Sequence, residues 1–170
     1  MLILRFVGGV LVLALIIIGL LVVAARFSDG PIGMVAGGPF TSGEFHLGPD
    51  PDWDFVRGLD TVEFQLMKPP RSRTTWILLH DGRIFIPSGY MNSGLGRLWK
   101  QWPPHAERDG RALLRVGGAM LYPRQLIRVD ANDSSLIEPL VVELNRKYRR
   151  SATAADVQSG ALWLFELQPR

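Results

Sequence analysis

An uninterrupted apolar run, Phe6 to Ala25, contains no charged or strongly polar residue and constrains this chain more than any other feature. At 1.5 Å per residue, its twenty residues make a helix about 30 Å long, the thickness of a bilayer's hydrocarbon core. In lipid every backbone N–H and C=O must be paired within the segment, so a continuous helix is the physical solution. Gly8, Gly9 and Gly19 weaken a helix in water but are common in membrane spans. A helix buried in a soluble core would show a polar face, and this run has none. A cleavable signal peptide is the competing reading, because Val23-Ala24-Ala25 resembles a small-residue cleavage site. Against it, the run is longer than a signal centre and Arg5 is its only early side-chain charge. The expected organisation is a single-pass transmembrane anchor over residues 1–27, a connector over 28–43 and a soluble domain over 44–170. The lipid bilayer is then a partner through residues 6–25. Arg5 and the terminal amine at one end nearly balance Arg26 and Asp29 at the other, so the positive-inside signal is weak. By analogy with uncleaved signal anchors, the soluble domain is expected on the extracytoplasmic side.

About 125 residues remain beyond the connector, enough for one domain with one core. The chain has no cysteine, which excludes disulfide frameworks, thiolate nucleophiles and cysteine-ligated metals. Its formal charge is +3, and its arginines are scattered among acids rather than gathered in a stripe, so nucleic acid is not an expected partner. One basic cluster, Arg146-Lys147-Tyr148-Arg149-Arg150, reads as the solvated last turn of a helix, where cations suit the helix dipole. Contact with anionic lipid heads is its sharper alternative. His46, His80 and His105 lack metal-ligand spacing, and no metal site is expected. His80 and Asp81 are neighbours that a strand would point to opposite faces, which argues against a hydrolytic triad with Ser88.

Residues 28–43 carry five glycines and two prolines without helical or alternating pattern, the signature of a connector. Ile32, Met34, Val35 and Phe40 suggest that it lies along the domain rather than swinging free. Strands then follow. Thr61 to Leu66 alternates apolar and polar residues. Thr74–Leu79 and Arg83–Pro87 flank Asp81-Gly82, a strong hairpin signal because a tight primed turn needs positive φ. Ala112–Val116 and Ala119–Tyr122 flank Gly117-Gly118, Gln125–Val129 continues the sheet after Pro123, and Ala161–Leu167 is a last strand. A short helix is expected over Leu95–Trp102, ending before Pro103-Pro104 and carrying Trp99 and Trp102 on one side. A longer helix starts near Ser135, with Glu138 completing a capping box or serving as cap to Pro139. Ile137, Leu140, Val141, Leu144 and Tyr148 form its apolar stripe. The fold class expected is mostly β (α+β): a small six-stranded barrel with one short and one longer helix, preceded by the transmembrane helix.

The order hairpin, short Trp-containing helix, Gly-centred hairpin, long helix, last strand resembles the pyridoxamine 5′-phosphate oxidase-like split β-barrel superfamily. That superfamily includes flavin-binding oxidases and deazaflavin-dependent nitroreductase-like proteins. The segments that carry the resemblance are Arg73–Ser88, Arg97-Leu-Trp-Lys-Gln-Trp102 and Ala112-Leu-Leu-Arg-Val-Gly-Gly118, within residues 60–170. It implies a flavin (FMN) or deazaflavin cofactor and oxidoreductase chemistry. The cofactor phosphate would be held by Arg73 and Thr75 on one strand, Ser88 after the next, and Arg97 and Lys100 on the helix. Several directed donors and positive charge suit a phosphate. Tyr90, Asn92 and Ser93 lie where a flavin ring would be contacted. Catalytic residues are not identified. Related barrels often dimerise with the cofactor between subunits, so a homodimer is admitted. The loop Gly89–Gly96 lacks a clean phosphate-binding pattern, and a cofactor-free barrel acting as a binding or assembly module at the membrane surface stays open as the alternative.

Overall fold

The computed structural model describes residues 2–94, 96 and 100–170. Among them the first element is the helix α1 (Leu2–Ala25), of which Arg5–Ala25 is long and apolar enough to cross a membrane and is exposed along its length except at Ala25, which is buried at its end. The strands are β1 (Glu44–Phe45), β2 (Val62–Met67), β3 (Pro70–Thr75), β4 (Leu78–His80), β5 (Arg83–Ser88), β6 (Arg111–Val116), β7 (Met120–Arg128) and β8 (Trp163–Pro169). The further helices are α2 (Trp102–Arg108), α3 (Ser134–Tyr148) and α4 (Ala154–Gln158), with a 3-10 turn over Trp53–Gly58.

All eight strands belong to one sheet in the order β3-β2-β6-β7-β8-β5-β4, antiparallel throughout, and β1 adds a short parallel pairing to β7. The sheet has eight strands, not the expected six. Its two edge strands, β3 and β4, are consecutive in sequence and separated only by Trp76 and Ile77. A sheet whose two edges are joined by two residues must curl onto itself, which makes a barrel split at that corner. The segment Thr74–Leu79, expected as one strand, is therefore broken: its start pairs with β2 and its end with β5. Pro70–Arg73 escaped the hydrophobic pattern because an edge strand tolerates charges and a proline at its first position.

In the opposite sense, Ala119–Tyr122 and Gln125–Val129 merge into the single strand β7, with Pro123 inside it. β1 pairs with β7 at Met120 and Leu121, and β8 pairs from Arg124 onward. Pro123 falls between them, so its missing N–H costs no ladder bond. The two tight turns conform to expectation: Asp81 (φ 48°) with Gly82 (φ 69°), and Gly117 (φ 63°) with Gly118 (φ 76°), have the positive φ of primed turns.

The helices differ more. The expected helix Leu95–Trp102 lies largely outside the described residues; Trp102 begins α2 instead of ending a helix. Pro103 and Pro104 occupy its first turn, where the missing N–H is no loss. α3 starts one residue before the expected position. Its cap is Asp133, whose carboxylate accepts from the Leu136 N–H at 3.3 Å, whereas Ser135 donates its hydroxyl to Asp133 rather than forming a box with Glu138. A true capping box, Thr153 with Asp156, opens α4.

Strand alternation sorts the apolar residues into two cores. Phe64, Leu66, Ile84, Ile86, Ala112, Leu114, Phe165 and Leu167 fill the barrel, where Trp102 meets Phe64 (4.9 Å between ring centroids) and Phe165 (5.1 Å). On the outer face of β4, β5 and β8, Leu78, Phe85 and Leu164 are covered by Ile137, Leu140, Val141 and Leu144 of α3 and by Val157 of α4. Each such fully buried side chain is worth about 1.5–3 kcal/mol over leaving it exposed.

The outer face of β2, β3 and β6 is covered by residues 28–43. The Gly37 N–H donates to Ser72 O (3.0 Å), the Ser72 hydroxyl to Gly38 O (2.5 Å) and the Thr74 hydroxyl to Gly33 O (2.9 Å). Asp29 accepts from the Thr41 N–H (2.8 Å) and from the Ser42 hydroxyl, and it pairs with buried Arg115 (3.1 Å). Arg115 also pairs with Glu63 (2.7 Å) and lies over the ring of Phe40 (4.1 Å). The segment follows the domain, as expected, but for a different reason. Ile32 and Met34 are exposed, and polar bonds together with Phe40 hold it.

Candidate functional site

The corner that splits the barrel, Trp76-Ile77, is pinned by the C-terminal end of α3. The Tyr148 hydroxyl accepts the Ile77 N–H (2.9 Å) and lies 2.9 Å from both Ile77 O and Asp60 O, to either of which it can donate. Lys147 donates to Val56 O (2.8 Å) and Ile77 O (3.0 Å). Burial pushes the Tyr148 phenol up to about 12 and holds the Lys147 ammonium below its ordinary range. The indole of Trp76 stacks on Tyr148, ring centroids 4.5 Å apart and planes 11° apart. So the basic cluster at residues 146–150 is not simply a solvated helix end. Arg146 pairs with Glu143, Lys147 and Tyr148 are built into the corner, and Arg149 (φ 50°) reverses the chain.

Arg150, just beyond that reversal, reaches a second group. Its guanidinium lies over Trp76 (5.4 Å) and donates to the Tyr90 hydroxyl (2.6 Å), while the Lys100 ammonium stands 5.6 Å from the centre of the Tyr90 ring. Tyr90 is held there by its loop. It adopts φ 63°, uncommon for a bulky residue, and the next residue, Met91, is buried and bonded through its N–H to Ala161 O (3.0 Å). Ser93 donates both N–H (3.2 Å) and hydroxyl (2.9 Å) to Tyr90 O, and its hydroxyl accepts the Gly96 N–H (2.9 Å). Gly96 packs so closely on Tyr90 O that no side chain fits there. The result is an outward-facing Tyr90 ring, 62% exposed, between two cations. Burial, and then the nearby Arg150, hold Lys100 below its ordinary range.

The charges are not distributed evenly. Among the described residues Arg57, Arg83, Arg111, Arg115, Arg124, Arg128 and Arg146 each pair with a carboxylate, while Arg5, Arg26, Lys68, Arg71, Arg73, Lys100, Arg108, Lys147, Arg149, Arg150 and Arg170 do not; of these, Lys100 and Arg150 both contact Tyr90. Arg124 is fully buried, paired with Asp50 (2.6 Å) and flanked by Trp53 and Tyr122, so it serves the fold. Two unneutralised cations converging on an exposed aromatic ring can bind a flat anion.

Of the residues expected to hold a phosphate, Lys100 is in this group. Arg73 and Thr75 lie on the same face of β3 as barrel-facing Phe64 and Val62, their register partners. Arg73 is half-buried, and burial with the neighbouring Arg71 brings its guanidinium down to about 10. Its guanidinium donates to Arg71 O (3.4 Å). Ser88 is buried, and its hydroxyl is turned to the sulfur of Met91 (3.4 Å). Arg97 and Trp99 lie outside the described residues. Arg73, Thr75 and Ser88 make no direct contact with Lys100. Asn92 donates to Ser159 O (2.8 Å), a structural bond. Sequence reading missed Trp76, Tyr148 and Arg150 as a group. Their only signal was an aromatic at a strand end and a basic run after a helix.

Two open hollows, of about 440 Å³ beside α2 and β7 and about 370 Å³ between residues 31–33 and β2 and β3, are lined by none of Trp76, Tyr90, Lys100, Tyr148 and Arg150, nor by Arg73, Thr75 and Ser88. Among the described residues no cluster of His, Asp and Glu could hold a metal ion.

The strand order and its two-residue corner define a split-barrel protein. No family model matches the chain, and no curated protein does. Among solved structures it is similar to a conserved hypothetical protein from Mycobacterium tuberculosis: 16% identity, TM-score 0.48, covering 69% of this chain and 77% of that one. It is also similar to a protein from Listeria innocua described provisionally as a pyridoxamine 5′-phosphate oxidase: 14% identity, TM-score 0.43, covering 68% of this chain and 87% of the other. At these values neither likeness decides more than the strand order decides by itself.

Proposed function

We propose that the protein is a split barrel anchored in a membrane by α1, and that it binds an anionic aromatic ligand of the flavin or deazaflavin type on the platform of Lys100, Tyr90, Arg150 and Trp76. The observation that carries this reading is the convergence of Lys100 and Arg150 on the exposed Tyr90 ring with no carboxylate pairing either cation. Such a cofactor, when bound, supplies hydride or electron transfer. The chain's own part is to offer Lys100 and Arg150 to the phosphate and an aromatic face to the ring system. Arg73, Thr75 and Ser88 are not needed for this arrangement. A homodimer belongs to the proposal, since the resembling superfamily often places its cofactor between subunits.

The test is an absorbance and fluorescence titration of the full chain in detergent or lipid discs with FMN and with a deazaflavin. Saturable binding is expected, weakened about tenfold or more by Lys100→Ala and by Arg150→Ala, since hydrogen bonds to charged groups are worth about 1.5–3 kcal/mol. A folded protein that binds neither compound overturns the proposal. That result favours the second reading, a cofactor-free binding or assembly module at the membrane surface. The stacking of Trp76 on Tyr148 and the bond from Arg150 to Tyr90 support it, because those groups already engage one another.

A further inference from the structure

The segment that joins α1 to the barrel holds together two kinds of side chain that the fold does not use. Helical bonding runs past the apolar span, through Phe27 N–H to Ala24 O (3.0 Å) and Ser28 N–H to Ala25 O (3.3 Å), which places Arg26 and Phe27 at the span's very end. Gly38 packs against that end: a Cβ there would lie 2.6 Å from Ser28 O and 2.7 Å from Arg26 O. The Gly38 carbonyl in turn accepts the Ser72 hydroxyl, so β3 lies one residue's width from the end of α1. Arg71, next to Ser72, extends to Gly37 O (3.3 Å), and its guanidinium feels Arg26 as the neighbouring charge. Among the described residues neither arginine pairs with a carboxylate; Asp29, the acid nearest in sequence to Arg26, is taken by Arg115. Beside them the connector makes a tight reversal, Ile32 paired with Val35, which Thr74 fixes through Gly33 O. This reversal turns Ile32 and Met34 outward. Phe27, Ile32 and Met34 are 86%, 55% and 89% exposed, yet all three belong to a segment bonded to the sheet.

Apolar side chains beside unpaired arginines, at the end of a membrane-length helix, match the chemistry of the bilayer interface. There acyl chains lie just below phosphates. We propose that Arg26, Phe27, Ile32, Met34 and Arg71 form a face that docks on the bilayer, the arginines on the phosphates of anionic lipids and the apolar side chains among the upper acyl carbons. The proposal rests on the membrane reading of α1. It assigns the lipid contact to the connector and β3, not to the basic residues 146–150, which serve the corner and the Tyr90 platform.

The chain has no cysteine, so single cysteines carrying nitroxide labels can be placed in the full-length protein in lipid discs of phosphatidylcholine with phosphatidylglycerol. Phe27→Cys and Met34→Cys are expected to be protected from a water-soluble nickel relaxant and accessible to oxygen. Val142→Cys, on the exposed side of α3, serves as the aqueous reference and Ile17→Cys as the acyl-core reference. Removing the anionic lipid, or either arginine by Arg26→Ala or Arg71→Ala, should lower the docked-to-undocked ratio at Met34→Cys about fivefold per charge. If the Phe27 and Met34 labels are as open to nickel as the Val142 label while the Ile17 label lies in the acyl core, docking is wrong and the anchor stands. Protected labels indifferent to lipid charge and to both arginine substitutions overturn the assignment of the arginines to lipid phosphates. An aqueous Ile17 label overturns the membrane reading and this proposal together.

Discussion

Tyr148 and Arg124 show how single residues decide this fold. Tyr148 satisfies the backbone of the corner through one hydroxyl, so Tyr148→Phe leaves the Ile77 N–H without its partner and should lower stability by about 1–2 kcal/mol in urea unfolding. Its phenol also makes stability fall at high pH. The folded group ionises near 12 and the unfolded one near 10.0, so the stabilisation is complete below pH 10.0 and is lost as pH rises toward 12. A tyrosine ionisation seen at 295 nm only after the others, and absent in Tyr148→Phe, would check this. Arg124 is the fully buried member of its ion pair, whereas the Asp50 side chain is 31% exposed. Removing Asp50 strands a charge in the interior, which for buried pairs costs about 3–5 kcal/mol. Asp50→Ala should therefore unfold at lower denaturant than the double variant Asp50→Ala/Arg124→Leu. The reverse order would show that Arg124 is not stranded without Asp50 but is still held favourably between Trp53 and Tyr122.

Elements here are held as much by connections as by their own patterns. Asp29 ties residues 28–43 to the sheet. Its carboxyl is held down to about 2, first by the Ser42 hydroxyl and then by the Thr41 N–H and Arg115. Its contribution is complete above pH 3.8 and lost as pH falls toward 2. Asp29→Asn should speed amide exchange at Gly37 and Thr41 at neutral pH, and acidification of the native chain toward pH 2 should lower the protection of the same amides relative to their intrinsic exchange rates; unchanged protection in the variant would place the tie elsewhere. The sequence signals for elements were of unequal strength. Both primed turns, the barrel-facing alternation of β2 and the stripe of α3 were legible, because periodicity and positive-φ residues report directly on local geometry. β3 was not, since an edge strand with two arginines and a leading proline shows no apolar alternation. The break at Trp76-Ile77 was hidden too, because Trp76 to Leu79 is one unbroken apolar run across the corner and only strand pairing reveals it. At the candidate site Lys100 was named from the resemblance. Arg150 and Trp76 join it through tertiary contacts between residues 74 positions apart in the chain, which no local pattern carries.

At the scale of the molecule, the barrel is flanked on one half by α3 and α4 and on the other by residues 28–43, with α1 beyond. The membrane reading predicts that the full chain stays with membranes through alkaline carbonate extraction, while a variant lacking residues 2–25 is released. With the domain on the extracytoplasmic side, protease added to intact spheroplasts should cleave it; full protection would reverse the orientation. The connector has a mechanical consequence as well. Because Gly38 rests on the backbone of Arg26 and is bonded into β3, no swivel separates helix from barrel. A tilt or rotation of α1 is a tilt or rotation of the barrel. On the proposed reading of α1 as the anchor and of Tyr90 as the ligand platform, a ligand is met at a fixed height and heading, in the way a blade follows its handle.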